Sequence, residues 1–518
     1  MDRIVARRAL LVAVAVGISA QALMVSLAIG VNLVVLTALV LFVAALFARA
    51  AGVRTDPVDA WIPVAALLVA VGTALRSDDM LVFLDSVTAA VLLGASVAAF
   101  AGAQVTKQSA ARLVSLGTHV LAWSAGGVLR LTYLARRPEP TDTPHRPIPP
   151  AARAVARGLA IALPLLLLFA LLFASADAIF ASVAERLFDW QVDLGEVPFR
   201  LAVAFIVAWP VAGLLAVATR AADPFVVDGP AATRGAGRPP MQSLGAAVAT
   251  VPPAHALPRL GTTEAVTILV AIDALFAVFV GLQVAYLFGG LDTMAAGGIT
   301  YANYARRGFF ELVAVTCVSG GLIVGLNAVV AERTRSFIAA AVVLAGLTAV
   351  VLASAAFRMG LYQDAYGWTE LRFYIAATIC WLGIGIAAAV VLLARDRMRW
   401  LIHAMTIGAL VVLAAVNAIG PQRYVAEANV ARLLNPALVP PDGRQGLDLD
   451  YVLTLGHDAD PALVAALPAL EPPDGEWLIS DLETRWIDLA RPENIGWPAW
   501  NLARTRAEAA LDPLFARR

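Results

Sequence analysis

Residues 301 to 330 read YANYARRGFFELVAVTCVSGGLIVGLNAVV, and the class of the protein follows from that stretch. Behind the two arginines an apolar run extends to Val330, long enough as an α-helix to cross a hydrocarbon core of ~30 Å. The head of the stretch is the costly part, because arginine and tyrosine sit directly against that run. A second cluster of the same kind, Phe357 to Arg372, closes the next apolar segment.

Composition makes the same demand everywhere else. The chain has 518 residues, 60% hydrophobic and 15% charged, with a mean hydropathy of +0.79. Those values lie outside the soluble range and within that of proteins that cross a membrane repeatedly. An open sheet edge cannot sit in lipid, so the expected fold is all-α, a polytopic transmembrane helical bundle. Eleven spans are expected, at residues 9–28, 32–48, 61–75, 80–103, 158–178, 201–219, 264–288, 309–330, 337–356, 373–394 and 401–419. Cys317 and Cys380 both fall inside spans, which leaves no disulfide framework.

Arginine placement gives the orientation. One set of loops holds Arg49 and Arg54, the stretches from Lys107 to Arg157 and from Arg220 to Arg259, Arg333 and Arg335, then Arg395, Arg397 and Arg399. The opposite set is acidic, with Asp78 and Asp79 in one loop and Glu185, Asp189, Asp193 and Glu196 in another. Basic loops face the cytoplasm, so the N-terminus is expected inside and the C-terminus outside. The apolar run after Arg3, Arg7 and Arg8 reads as a retained span, since a second span follows across Gly30 to Asn32. Residues 104–137 carry an apolar face of Leu113, Leu116, Val120 and Trp123, interrupted by His119 and Arg130. They are expected to lie on the cytoplasmic surface as a helix broken near Gly126 and Gly127, because a span there would reverse the arginine bias of every later loop.

Four parts result: a four-span membrane part at 1–103, a basic interfacial helix and Pro-rich linker at 104–157, a seven-span core at 158–420, and a small all-helical soluble domain at 421–518. The last part is acidic, with 15 Asp and Glu against 9 Arg.

Catalytic patterns are missing. The five histidines show no ligand spacing, and there is neither a phosphate loop nor a His-Glu-x-x-His helix, so no catalytic residue, metal site or cofactor is expected. The basic loops serve topology and not nucleic acid. Two polar sets remain. The first, Asp177, Asp273, Gln283 and Asn327, lies within spans and reads either as interhelical glue or as a polar path. The second is an outer-face platform of Tyr301, Tyr304, Arg306, Arg307, Glu311, Arg358, Tyr362, Asp364, Tyr366, Glu370 and Arg372. Arg307 and Glu311 are one helical turn apart and are expected to pair, meeting Asp364 or Glu370. The platform reads as a dock for the acidic tail or as a site for an anionic headgroup or glycan.

The pattern Tyr-Ala-x-Tyr-Ala-Arg-Arg-Gly-Phe-Phe-Glu-Leu at 301–312 resembles the signature of a bacterial membrane family, the domain of unknown function 4173, related to 4153. Four further blocks agree: Ser175-Ala176-Asp177; Asp273 and Gln283 through Gly290; Arg358 to Arg372; and Leu447 to Tyr451 with Trp500-Asn501-Leu502. The chain departs from the pattern at Ala178, where proline is expected, and near Gly420, where an asparagine-proline pair is expected. The resemblance implies a polytopic membrane protein and no activity. The expectation is therefore a multi-pass inner-membrane protein, a non-enzymatic sensor or assembly protein whose partners are the lipid bilayer and an envelope or signalling protein. The alternative is a secondary transporter, or a lipid- or glycan-handling protein, that uses Asp177, Asp273 and Gln283.

Overall fold

The computed structural model describes residues 3–25, 27–135, 197–219, 261–288, 309–441 and 443–516. No strand occurs among them, and the chain is an all-α polytopic protein. The long helices are α1 (Arg3–Met24), α2 (Val31–Ala50), α3 (Trp61–Leu75), α4 (Asp79–Phe100), α5 (Ala110–Ala135), α6 (Val197–Ala218), α7 (Thr262–Phe288), α8 (Phe309–Val329), α9 (Arg335–Tyr366), α10 (Glu370–Ala394) and α11 (Leu401–Ile419). The C-terminal region adds α12 (Pro421–Leu434), α13 (Leu449–Val452), α14 (Asp460–Ala466), α15 (Pro472–Leu489) and α16 (Leu502–Phe515). Eight of the described helices, α1 to α4, α7 and α9 to α11, are long and apolar enough to cross a membrane. The expected span at 158–178 lies outside the described residues.

Two packing groups form the bundle. In the first, α1, α2, α5 and α6 meet over a core dominated by small residues, among them Ala6, Ala9, Ala44, Ala48, Ala212 and Ala216. Helices in lipid gain little from apolar burial alone, so alanine faces that let backbones approach are what hold them together. The second group, α7 to α10, packs larger side chains, with Leu269, Phe337, Leu344, Val351 and Met359 at its centre. Helices α3 and α4 pack together against α2 of the first group, and α11, which touches both α10 and α3, joins the two groups.

The bundle has a basal end, marked by Lys107, and an apical end opposite it. At the basal end Asp59 accepts the Val105 and Thr106 N–H groups, both at 2.8 Å, and so ties the 51–60 loop to the 101–109 loop. Helix α5 leaves from this end, and its last carbonyl, Ala135, accepts from Arg3 and Arg7 at the start of α1, both at 3.2 Å. Both ends of α5 therefore lie at the basal end. The helix is continuous through Gly126 and Gly127, where a break was expected, because packing against α6 holds that segment helical.

Helix α9 runs 32 residues, longer than the span expected from its apolar core. At ~1.5 Å per residue it reaches ~48 Å, so the turns from Phe357 to Tyr366 extend past a hydrocarbon layer of ~30 Å. Thr334 caps its start by accepting from the Phe337 N–H, and it stops at Gly367. Thr369 then caps α10 by accepting from the Arg372 N–H, with Glu370 in the first turn, where the helix dipole favours an acid.

The C-terminal helices do not keep a core to themselves. Val425, Leu455, Leu463, Leu478, Leu482 and Leu511 pack in one cluster with Leu81 of α4, Phe373 of α10 and Val416 of α11. That shared core fixes the C-terminal unit to the apical end and surrounds the polar contacts described next.

Candidate functional site at the apical junction

Among the described residues, the turns at 27–30, 76–78 and 367–369 lie at the apical end of the bundle. The C-terminal unit binds all three. On the first, the Ala28 N–H donates to the Glu493 carbonyl at 2.8 Å and Val31 N–H to that of Trp500 at 3.1 Å, while Arg504 donates to the Ile29 carbonyl at 3.0 Å.

The second turn carries the strongest contact. Arg76 places Nη1 3.2 Å from Asp458 Oδ1, with the two side chains only 6% and 4% exposed. Its other nitrogens reach the last carbonyls of α11: Nε donates to Asn417 and Nη2 to Ala418, both at 2.7 Å. A helix C-terminus presents unpaired carbonyls and negative dipole, so the guanidinium closes α11 and meets its counter-ion at once. Asp458 Oδ2 also accepts from the Ser77 N–H at 2.8 Å and from its hydroxyl at 3.2 Å. Gly420, with φ of +76°, fits here because a β-carbon would lie 2.6 Å from Arg76 Cζ. Asn501 of the C-terminal unit donates to the carbonyls of Thr73 and Arg76 at 2.9 and 2.7 Å, and its Oδ1 caps α16.

Around Arg76 stand more acids than bases. Asp78 caps α4 through the Leu81 N–H and accepts the Tyr374 hydroxyl at 2.9 Å. Burial pushes the Asp78 carboxyl above the usual carboxylate range, and these two hydrogen bonds pull it back. Glu370 Oε1 accepts from Gln422 Nε2 at 2.9 Å, and the same amide's Oε1 accepts from Gly456 N–H at 2.9 Å. The Glu370 N–H donates to the Tyr451 hydroxyl at 2.7 Å, and burial pushes that phenol up to about 12.

On the third turn the described half of the expected platform comes together. Arg372 stacks over the Tyr362 ring, 4.1 Å from its centre, and donates to the Gly367 carbonyl. Tyr362 and Tyr366 meet edge to face at 5.1 Å. Arg432 of α12 donates to the carbonyls of Gln363, Asp364 and Ala365, closing α9, and burial lowers its own pKa. Asn429 brackets Trp368, accepting its N–H at 2.9 Å and donating to its carbonyl at 2.8 Å. Arg358 lies on the same helix, half-buried, and the Asp364 side chain is exposed.

Of the other expected site residues, Asp177, Tyr301, Tyr304, Arg306 and Arg307 lie outside the described residues. Gln283 and Glu311 belong to α7 and α8, with side chains outside the description, so the Arg307–Glu311 pair is not among the contacts described. Asp273 of α7 and Asn327 of α8 are half-buried, and each has a side-chain oxygen without a hydrogen-bond donor. Asn327 sits in the layer of Leu326 and Phe337 near the basal end, and Asp273 lies further along α7 between Leu269 and Phe276. Sequence reasoning missed Arg76, Asn417, Gln422, Asp458 and Asn501. The available signal was a lone arginine beside Asp78 and Asp79 in an otherwise acidic loop.

A family model, Domain of unknown function (DUF4153), matches residues 63–466. The chain belongs to this family. No curated protein and no solved structure matches it. In this DUF4153 chain the matched range runs from α3 into α14, and it includes Arg76, Asp78, Glu370, Asn417, Gln422 and Asp458.

Proposed function

We propose that this DUF4153 protein is a non-enzymatic sensor or assembly protein of a bacterial inner membrane, close to the 4173 pattern its blocks resemble. Its C-terminal helical unit is held against the outer face of the bundle and works with a partner protein of the envelope. The observation that carries the reading is the Arg76–Asp458 pair, which clamps that unit to the membrane helices through a buried, fully engaged guanidinium. Such a contact ties the state of the soluble part to the positions of α3 and α11. The basic loops at the basal end support an arrangement with the N-terminus inside and the C-terminus outside. The return of α5 to its own end supports a surface helix that adds no crossing.

Photocrosslinking in cells from position 477, where Trp477 is half exposed, tests this function. The expected result is capture of a defined envelope protein by the wild type, and a weakened or altered capture by Asp458→Ala. If position 477 captures nothing, and vesicles holding the purified protein accumulate a solute in an Asp273-dependent way, the transporter reading replaces this one.

A further inference from the structure

Beneath the clamp, Asn417 uses only half of its amide. Its Nδ2 donates to Asp85 Oδ1 at 2.9 Å and to the Leu413 carbonyl at 3.1 Å. Its Oδ1 has no donor, and neither has Asp85 Oδ2. Both side chains are sealed from solvent, Asp85 at 0% exposure and Asn417 at 8%. The two orphaned oxygens converge on one spot of α3: a β-carbon added to Gly72 would collide with Asp85 Oδ2 and lie 2.6 Å from Asn417 Oδ1.

An amide and a carboxyl group side by side, with one N–H···O bond made and the remaining two oxygens adjacent, form an acid–amide pair that lacks a single hydrogen. We propose that Asp85, Asn417 and Gly72 form a proton-binding site within the bundle. A proton on Asp85 Oδ2 donates to Asn417 Oδ1, which satisfies both oxygens and leaves no unpaired charge in the membrane. A metal cation does not fit the same place. The Gly72 backbone closes one side, and hard cations require several more oxygens than these two.

The surroundings favour the neutral form. Asp78 lies two turns earlier on α4, and from α10 come Tyr374, whose hydroxyl is given to Asp78, and Glu370, held by Gln422. The nearby cation, Arg76, is committed to Asp458 and to backbone carbonyls. A further negative charge at Asp85 would therefore stand among carboxylates with no base turned toward it.

Asn417 also links this site to the clamp. Its backbone carbonyl receives Arg76 Nε while its side chain holds Asp85, so loss of the proton would set two bare oxygens against each other at the last turn of α11. The folded chain keeps a proton that the solvated aspartate of the unfolded chain releases, so stability falls as pH rises. This site stands on its own geometry, whatever partner the C-terminal unit serves.

Infrared difference spectroscopy on the full chain in lipid vesicles, with aspartate labelled by carbon-13, tests the proposal. The expected result is a protonated-carboxyl band in the wild type that is absent from Asp85→Asn and fades, together with stability, as pH is raised. Asp85→Asn supplies a neutral group with a donor in the same place, so its stability should fall less with rising pH than that of the wild type, leaving only the share of the other buried carboxyl groups such as Asp78. Should that variant fail to fold, Asn417→Ala in the same experiment must shift the wild-type band. Absence of any protonated-aspartate band under conditions where the wild type is folded would overturn the proposal. So would a stability that follows sodium concentration at fixed pH and ignores pH, a result that assigns the site to a cation.

Discussion

The two ends of the bundle hold their charges in different ways. At the basal end Lys107 pairs with Asp56 and Arg333 with Asp396, the latter pair 41% and 68% exposed, and both partners of each pair belong to the membrane loops. At the apical end Arg76 and Asp458 are almost fully buried, 382 residues apart in the chain, and each makes further hydrogen bonds. An exposed pair contributes ~0–1 kcal/mol, whereas removing one partner of a buried pair costs ~3–5 kcal/mol. These basal pairs are thus placed by topology and can be exchanged, unlike the buried Asp59, which holds two backbone N–H groups. Apical charges are placed by geometry, and one arrangement satisfies them.

The largest effect that follows is at Asp458. Asp458→Ala leaves Arg76 buried without its counter-ion and is expected to lower the unfolding free energy of the detergent-purified chain by ~3–5 kcal/mol, read by denaturant titration. Limited proteolysis should then cut the C-terminal unit faster than in the wild type. If the loss is no larger than at the basal end, the contrast between the ends collapses. A smaller loss, ~1–2 kcal/mol, is expected for Asn501→Ala, which removes the α16 cap and two bonds to the 73–76 segment. Asp396→Ala at the basal end should change stability by less than ~0.5 kcal/mol, and a thermal shift comparable to that of Asn501→Ala would contradict the account.

Eight of the expected spans, those of α1 to α4, α7 and α9 to α11, were legible because runs of ~20 apolar residues have few other uses. The full length of α9 was not, since hydropathy marks where lipid begins and ends and Arg358, Gln363 and Asp364 continue the helix beyond it. The neighbourhood of Tyr362, Glu370 and Arg372 was legible for the opposite reason, as charged and aromatic residues are costly beside a span. Its mode of contact was hidden. Charge counting suggested an acidic tail on a basic platform, yet Arg432 of that tail binds the carbonyls that end α9, acceptors that no side-chain inventory reveals. Arg76, Asn417 and Asp458 are each ordinary in sequence, and only folding brings them together. The similar charge in both sets of residues gave no hint of which pair would be sealed.

A double-mutant cycle on Arg76 and Asp458 decides whether one buried ion pair clamps the C-terminal unit to the membrane bundle. Arg76→Ala, Asp458→Ala and the double variant are compared by denaturant titration in detergent, with the wild type as reference. The double variant is expected to lose clearly less stability than the two single losses added together, a coupling of ~1–3 kcal/mol for groups in contact. Additive losses would contradict the clamp, because the two side chains would then be acting apart.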